Sequence, residues 1–332
     1  MKKCVKCFLS GFLILVAIIL GIYLLEKFYS IPNEKMTWGV SFSPEYARYL
    51  GLNVKETYRV ILDDWHFKNL RLTARWDLLE PEKDKFDFNE LDYLMNEAAQ
   101  RNAKVVLAMG QKTPRWPECN VPSWAENLKD SEYLVALNNY LVTVAKRYQN
   151  HGALEIYQVE NEPFLKFGKV CREIDSARLE SEISAVKKID STHPILVTDS
   201  GELSLWNKTA KVGDLFGTTV YRIVWNSKLG YVGYDWLPAF YYRLRAAWQG
   251  RELNSAWVAE LQAEPWVADH TLTVNNVSEQ FQSMSLERLK QHLLFAQKTG
   301  FGRAYLWGAE WWYWLKVHGY GDIADFVATL NK

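Results

Sequence analysis

The sequence predicts a (β/α)8 TIM barrel preceded by a single N-terminal transmembrane helix. Three observations carry the barrel. Short apolar runs rich in Val, Leu and Ile alternate eight times with longer segments of helical spacing. The runs are almost continuously apolar, as strands of a parallel sheet covered on both faces are. No GxGxxG or P-loop pattern occurs, so a doubly wound sheet lacks its usual glycine-rich first turn.

The first residues stand apart from the barrel. Lys2, Lys3 and Lys6 precede Cys7–Leu25, an uncharged apolar run long enough to cross a bilayer. No small-x-small cleavage site follows; the chain continues Glu26-Lys27-Phe28-Tyr29. The run reads as an uncleaved signal anchor. A cleaved signal peptide, and so a secreted protein, is the alternative. Lysines concentrated before the span place the N-terminus in the cytoplasm and the rest of the chain outside. The chain then divides into a cytoplasmic tip and anchor at 1–27, a polar linker at 28–36 and a barrel domain at 37–332.

Within the barrel the elements follow in order. TWGVSF (37–42) is the first strand, and residues 55–68 carry helical spacing. LRLTAR (70–75) is the second strand. NELDYLMNEAAQR (89–101) is an amphipathic helix with Leu91, Leu94 and Ala98 on one stripe. AKVVLAMG (103–110) is the third strand and 131–148 a long helix. LEIYQV (154–159) is the fourth strand; the helix after it, 175–190, opens on an Asp-Ser cap. PILVTDS (194–200) and DLFGTTVY (214–221) are strands five and six. An aromatic-rich helix over 236–248 leads to SAWVAEL (255–261), the seventh strand. The helix at 285–300 ends in Gly300, and RAYLWG (303–308) is the eighth strand. A short helix at 322–330 closes the chain.

Composition narrows the function classes. The chain has 332 residues, 48% hydrophobic and 23% charged, enough apolar material for one large domain. Formal net charge is zero and no basic stripe occurs, which argues against nucleic acid. Aromatic content is 14%, with 15 Trp. Flat rings suit the apolar faces of sugars, while many of these Trp belong to the core. Cys4 and Cys7 flank the cytoplasmic end of the span, where acylation is possible. Cys119 and Cys171 lie in the exported part, as a disulfide or as two thiols. Without CxxC, a Cys/His cluster or metal-type His spacing, no metal and no cofactor are expected. Asn207 and Asn276 head N-x-S/T sequons, which matter only in a eukaryotic secretory pathway.

In a barrel of this kind the active site lies at the C-terminal ends of the strands. The second strand delivers Arg75 there, and the third Gln111, with Arg115 and Trp116 beyond. The fourth delivers Asn161 and Glu162, the sixth Tyr221, the seventh Glu260, and the eighth Trp307. Two carboxylates face each other across the mouth among aromatic rings, which is the chemistry of glycoside hydrolysis. One must hold a proton for the leaving oxygen while the other is ionised, a separation that environment can produce. Arg75 is expected to hold Glu260 ionised, Tyr221 to donate to the same carboxylate, and Asn161 to bind a sugar hydroxyl. Trp116, Trp225, Trp266, Trp311 and Trp312 fall in loops at this end, for sugar stacking or for loop packing.

The residues Asn161-Glu162-Pro163, Glu260, Arg75, Tyr221 and Trp307, in this order along the strands, resemble clan A of the retaining glycoside hydrolases. The segment RWDLLEPEKDKFDFNELDYLMNEAAQRNAKVVLAMG (75–110) is similar to the early part of family 42, 39 and 5 members. The resemblance implies a carbohydrate substrate and a retaining mechanism, with Glu162 as acid/base and Glu260 as nucleophile, about 5–5.5 Å apart. It departs from the clan at Gln111, where several members carry a histidine. Glu264 is a rival nucleophile, in the loop beside Pro265. Glu160 shares the strand face of Glu162 one layer deeper and reads as support from below. Two other readings are a non-catalytic barrel that binds glycan at the cell surface and a transglycosylase using the same two glutamates.

Overall fold

The structure is a computed structural model that describes residues 16–17, 20–166, 168–169, 171–268 and 271–331. Ten strands occur in it. In chain order they are β1 (Thr37–Ser41), β2 (Asn69–Arg75), β3 (Lys104–Gly110), β4 (Leu154–Val159), β5 (Ile195–Asp199), β6 (Leu215–Val220), β7 (Ile223–Asn226), β8 (Gly230–Gly233), β9 (Ala256–Gln262) and β10 (Arg303–Trp307). Eight of them close into a barrel in the order β1-β10-β9-β6-β5-β4-β3-β2. Every barrel pairing is parallel. These are the eight strands expected from the sequence. The seventh is β9, because an antiparallel hairpin, β7–β8, interrupts the connection after β6.

The core has two layers. Val106, Ile156, Leu196, Trp257 and Tyr305, one from each of five strands, fill the barrel interior near the strand starts. A larger core lies between strands and helices, with Leu91, Leu94, Met95 and Ala98 from the helix Asn89–Gln100 among its buried residues. Local signals end the helices as expected. The Asp175 side chain accepts from the Arg178 N–H at the start of Ser176–Ile189. Gly300 takes the left-handed conformation, φ 76°, after Leu286–Thr299.

One expectation fails. The residues after the eighth strand form a helix, Ala309–Val317, instead of an active-site loop. Trp311 and Trp312 are fully buried in it, with indole N–H groups donating to Gln280 Oε1 and to the Ala263 carbonyl, both at 2.7 Å. They are core residues. A helix that is apolar all round buries every face, so this Trp-rich run packs inward.

The apolar run Cys7–Leu25 lies largely outside the described residues. Residues 20–29 are helical, and Leu20, Ile22, Leu24, Leu25 and Phe28 are exposed on them. Among the described residues no helix is long and apolar enough to cross a membrane. The linker is docked against the barrel. The Asn33 N–H donates to the Gln297 carbonyl and its Nδ2 to the Phe301 carbonyl, both at 2.9 Å, at the strand-start end of the barrel.

Candidate active site

At the other end, β4 breaks from regular geometry in a way that places its acids. Glu160 and Glu162 both adopt positive φ, 59° and 43°, which is strained for a residue with a Cβ. The strain is held by hydrogen bonds to the chain leaving β3. Glu160 accepts from the N–H groups of Gln111 and Lys112, at 2.9 and 2.7 Å. The Asn161 N–H donates to the Lys112 carbonyl at 2.8 Å. Gly110 makes this approach possible: at φ 140°, a Cβ there would sit 2.5 Å from the Glu160 carboxyl carbon. The Glu162 N–H donates to Thr198 Oγ1 at 3.0 Å, and its Oε1 accepts from the Thr219 hydroxyl at 3.2 Å. Glu162 thus sits above Glu160, one layer nearer the mouth.

Glu260 is aimed by a bulge. Trp257 faces the interior, so three residues on, a regular strand would point outward. The register slips here against both neighbours. Thr218 pairs with Val258 but Thr219 with Glu260, and Ala304 pairs with Val258 but Leu306 with Leu261. The extra residue turns Glu260 into the mouth, a frequent use of a bulge.

The arginine that meets Glu260 is Arg71, not Arg75. Arg71 Nη1 lies 2.8 Å from Glu260 Oε1, with Nε on Gln158 Oε1 and Nη2 on Asn161 Oδ1 at the same distance. Arg75 pairs with Asp77 at 2.6 Å. The two arginines share a strand face, four residues apart; the long side chain reaches the mouth from the deeper position. Tyr221 donates to Glu260 Oε2 at 3.0 Å, as its place after β6 suggests. Because Asn161 Oδ1 accepts from a guanidinium, its amide orientation is fixed, and Nδ2 points away, buried and without a partner in the protein.

The remaining candidates divide. Gln111 is fully buried with its side chain engaged: Nε2 donates to the Arg172 carbonyl at 2.7 Å and Oε1 accepts from the Tyr133 hydroxyl at 2.5 Å. The amide thus ties the β3 loop to Arg172 and Tyr133. Trp116 is 64% exposed in the same loop. Trp307 is 7% exposed at the end of β10, with the Arg115 guanidinium 4.2 Å from its ring centroid. Glu264, the rival nucleophile, is ion-paired with Arg115.

The sequence places Lys112 at the end of the third strand without a role and gives no place to Glu118. Lys112 Nζ donates to the carbonyls of Glu162 and Leu165 at 3.1 and 3.0 Å and pairs with the Glu118 carboxylate at 3.0 Å. Glu118 stands next to Cys119, whose disulfide to Cys171, with Cα atoms 5.5 Å apart, ties the β3 loop to the β4 loop. The only sequence signal for it was that neighbouring cysteine. Burial, then the charges of Glu260 and Glu118, pushes the Glu162 carboxyl well above the usual carboxylate range, with Lys112 opposing. Burial pushes Glu118 up to about 7, against Lys112. Glu260 accepts one hydrogen bond on each oxygen, from Arg71 and from Tyr221. Two buried carboxyl groups thus stand at one mouth in unlike surroundings. Among the described residues no group of His, Cys, Asp and Glu is arranged to hold a metal ion.

Known proteins resemble this chain over part of its sequence and in its fold. The sequence model described as Glycosyl hydrolase family 10 matches residues 56–181, a segment that holds Arg71, Asn161 and Glu162. Endo-1,4-beta-xylanase 2 of Claviceps purpurea is 30% identical over 97 residues, 29% of this chain and 28% of that protein. The chain thus spans less than a third of that curated relative. Among solved structures, xylanase 10B from Thermotoga petrophila aligns over 82% of each chain with a TM-score of 0.55 and 17% identity. The exo-beta-1,4-mannosidase Op5Man5 from Opitutaceae bacterium strain TAV5 aligns over 82% of this chain and 51% of its own, with a TM-score of 0.58 and 15% identity. These likenesses carry the fold, and with the matched segment they bear out the resemblance to clan A.

The buried acids give stability a pH dependence. Burial pushes Glu118, Glu202 and Glu310 each up to about 7 from 4.5. Each holds a proton in the folded chain that the unfolded chain has released, so the fold is favoured below this window and loses stability as pH rises through it. The melting temperature should fall between pH 5 and pH 8; a flat or rising profile would contradict these environments.

Proposed function

We propose that the chain is a retaining glycosidase that cleaves β-glycosidic bonds of an oligo- or polysaccharide, with Glu260 as nucleophile and Glu162 as acid/base. The observation that carries this reading is the pairing, at one barrel mouth, of two buried carboxylates in unlike surroundings. In the first step a Glu260 oxygen bonds to the anomeric carbon as the bond to the leaving oxygen breaks, and the Glu162 proton passes to that oxygen. In the second step Glu162, now ionised, takes a proton from water. The water oxygen bonds to the anomeric carbon and Glu260 departs. Arg71 and Tyr221 fix the nucleophile, and the unpartnered Asn161 Nδ2 is the donor for a hydroxyl of the reacting sugar.

We further propose that Cys7–Leu25 anchors the chain in a membrane with the barrel extracytoplasmic. The flanking lysines and the exposed apolar side chains on helical residues 20–29 support this. On fractionation the full chain should pellet with membranes and be released by detergent but not by alkaline carbonate. Recovery in the soluble fraction as the intact chain would refute the anchor.

Activated fluoro-sugars should leave a covalent label on Glu260; label on Glu264 would reverse the assignment. Glu162→Gln should slow turnover of substrates with poor leaving groups by roughly 10²–10⁴-fold and spare glycosylation by activated aryl leaving groups. Equal loss on both would remove Glu162 from the acid role. Breaking a buried ion pair costs about 3–5 kcal/mol, so Arg71→Met should lower kcat/KM by on the order of 10²-fold or more, whereas Arg75→Met, away from Glu260, should change it little. The reverse order would show that the Arg71 contacts are not what positions the nucleophile.

A further inference from the structure

One side of the mouth is closed by a buried ion cluster that the proposed chemistry does not use. In the closed strand order, β4 and β10 lie across the barrel from each other. Arg115, from the loop after β3, reaches this far side. Its guanidinium lies between two rings, 3.8 Å from the centroid of Tyr46, in the helix Pro44–Tyr49 after β1, and 4.2 Å from that of Trp307 at the end of β10. It donates to Glu264, in the loop after β9, and to Glu310 Oε2 at 3.4 Å, at the start of the helix after β10. Glu310 Oε1 in turn accepts from the Ser43 N–H at 2.5 Å. One guanidinium therefore joins the segments that follow β1, β3, β9 and β10. Exposure of the three charged side chains is 13% for Arg115, 12% for Glu264 and none for Glu310. Between this cluster and Arg71 there remains a cavity of about 10 Å³, room for one water.

The position of this wall bears on which end of a substrate can enter. For a glycosidase, on which reading this rests, the two glutamates fix the direction in which a substrate lies. A general acid stands beside the leaving oxygen, so the leaving part departs on the Glu162 side. The sugar that becomes attached to Glu260 lies toward β10 and β1. A second sugar on that side would need the volume that Arg115, Tyr46 and Trp307 fill. Swinging the guanidinium away would strand two buried carboxylates, so the wall is not a loose lid. Two of its polar atoms, Arg115 Nε and Glu264 Oε2, are buried and have no partner in the protein.

We propose that the Arg115–Glu264–Glu310 cluster closes the site after a single sugar, so that the enzyme is exo-acting and releases monosaccharides from the non-reducing end of a β-linked chain. Arg115, held by Glu264 and Glu310 against Tyr46 and Trp307, is then a specificity-determining residue that sets the depth of the site.

The full chain decides this with 4-nitrophenyl β-glycosides of xylose, mannose, glucose and galactose and of their β-1,4-linked disaccharides. The expected result is direct nitrophenol release from one of the monosaccharide glycosides. The matching disaccharide glycoside should release nitrophenol only after a lag, while its terminal sugar is removed. Nitrophenol release from the disaccharide without a lag, with the free disaccharide as co-product, overturns the inference and leaves the glycosidase reading standing. No turnover across the panel, together with no covalent label from the matching fluoro-sugars, overturns the glycosidase reading itself. A folded Arg115→Ala chain should abolish the lag by opening room for a second sugar; persistence of the lag would show that something else sets the depth of the site. Because the unsubstituted chain decides the first question alone, the inference does not depend on that variant folding.

Discussion

Arg71 directs its three guanidinium nitrogens to Gln158, Asn161 and Glu260, each at 2.8 Å, from a side chain 1% exposed to solvent. A guanidinium does not give up its proton in a protein, so once buried it requires acceptors on every side. Those acceptors come from β4, its trailing residue Asn161, and β9, none of them neighbours of β2 in the sheet. The cation therefore sets the distance across the barrel mouth. It makes the bulge in β9 necessary, because only an inward Glu260 can meet it. It also fixes the Asn161 amide and leaves its Nδ2 buried and without a partner in the protein.

The two opposed glutamates are the same residue type and differ only in neighbours. Glu260 meets a cation and a phenol. Glu162 meets chiefly other acids, Glu260, Glu118 and Asp199, with Lys112 as the opposing charge. In a buried site of low polarizability such differences set two otherwise identical carboxyl groups apart. Lys112 has a second part in this. By donating to the Glu162 carbonyl while pairing with Glu118, it couples the strained backbone of the acid to the disulfide-bound loop.

The barrel was legible in the sequence because strand and helix periods are local. Each of the eight apolar runs became a strand, shifted by a residue or two. The mouth was legible to the level of strand ends, which is why Glu162, Glu260, Asn161 and Tyr221 come together. What the sequence could not display was depth and slippage. Arg71 and Arg75 have the same parity, and no local pattern tells which layer a long side chain serves. The slip in β9 depends on pairing with β6 and β10, far away in the chain. Arg115 and Glu118 sit at φ 83° and 67° on an irregular loop, where neither period applies. The run after β10 reads as a loop for a related reason: Trp311 and Trp312 stay open between sugar stacking and packing because tryptophan serves both roles, and only the packing around a helix tells them apart.

The docking of Asn33 onto the Gln297 and Phe301 carbonyls sets the polarity of the whole molecule. The chain joins the barrel at its base, and the paired glutamates open at the opposite pole. Anything fastened to the residues before Asn33 holds the barrel by its foot. Such a mount leaves the rim, with its paired glutamates, opening away from the point of attachment.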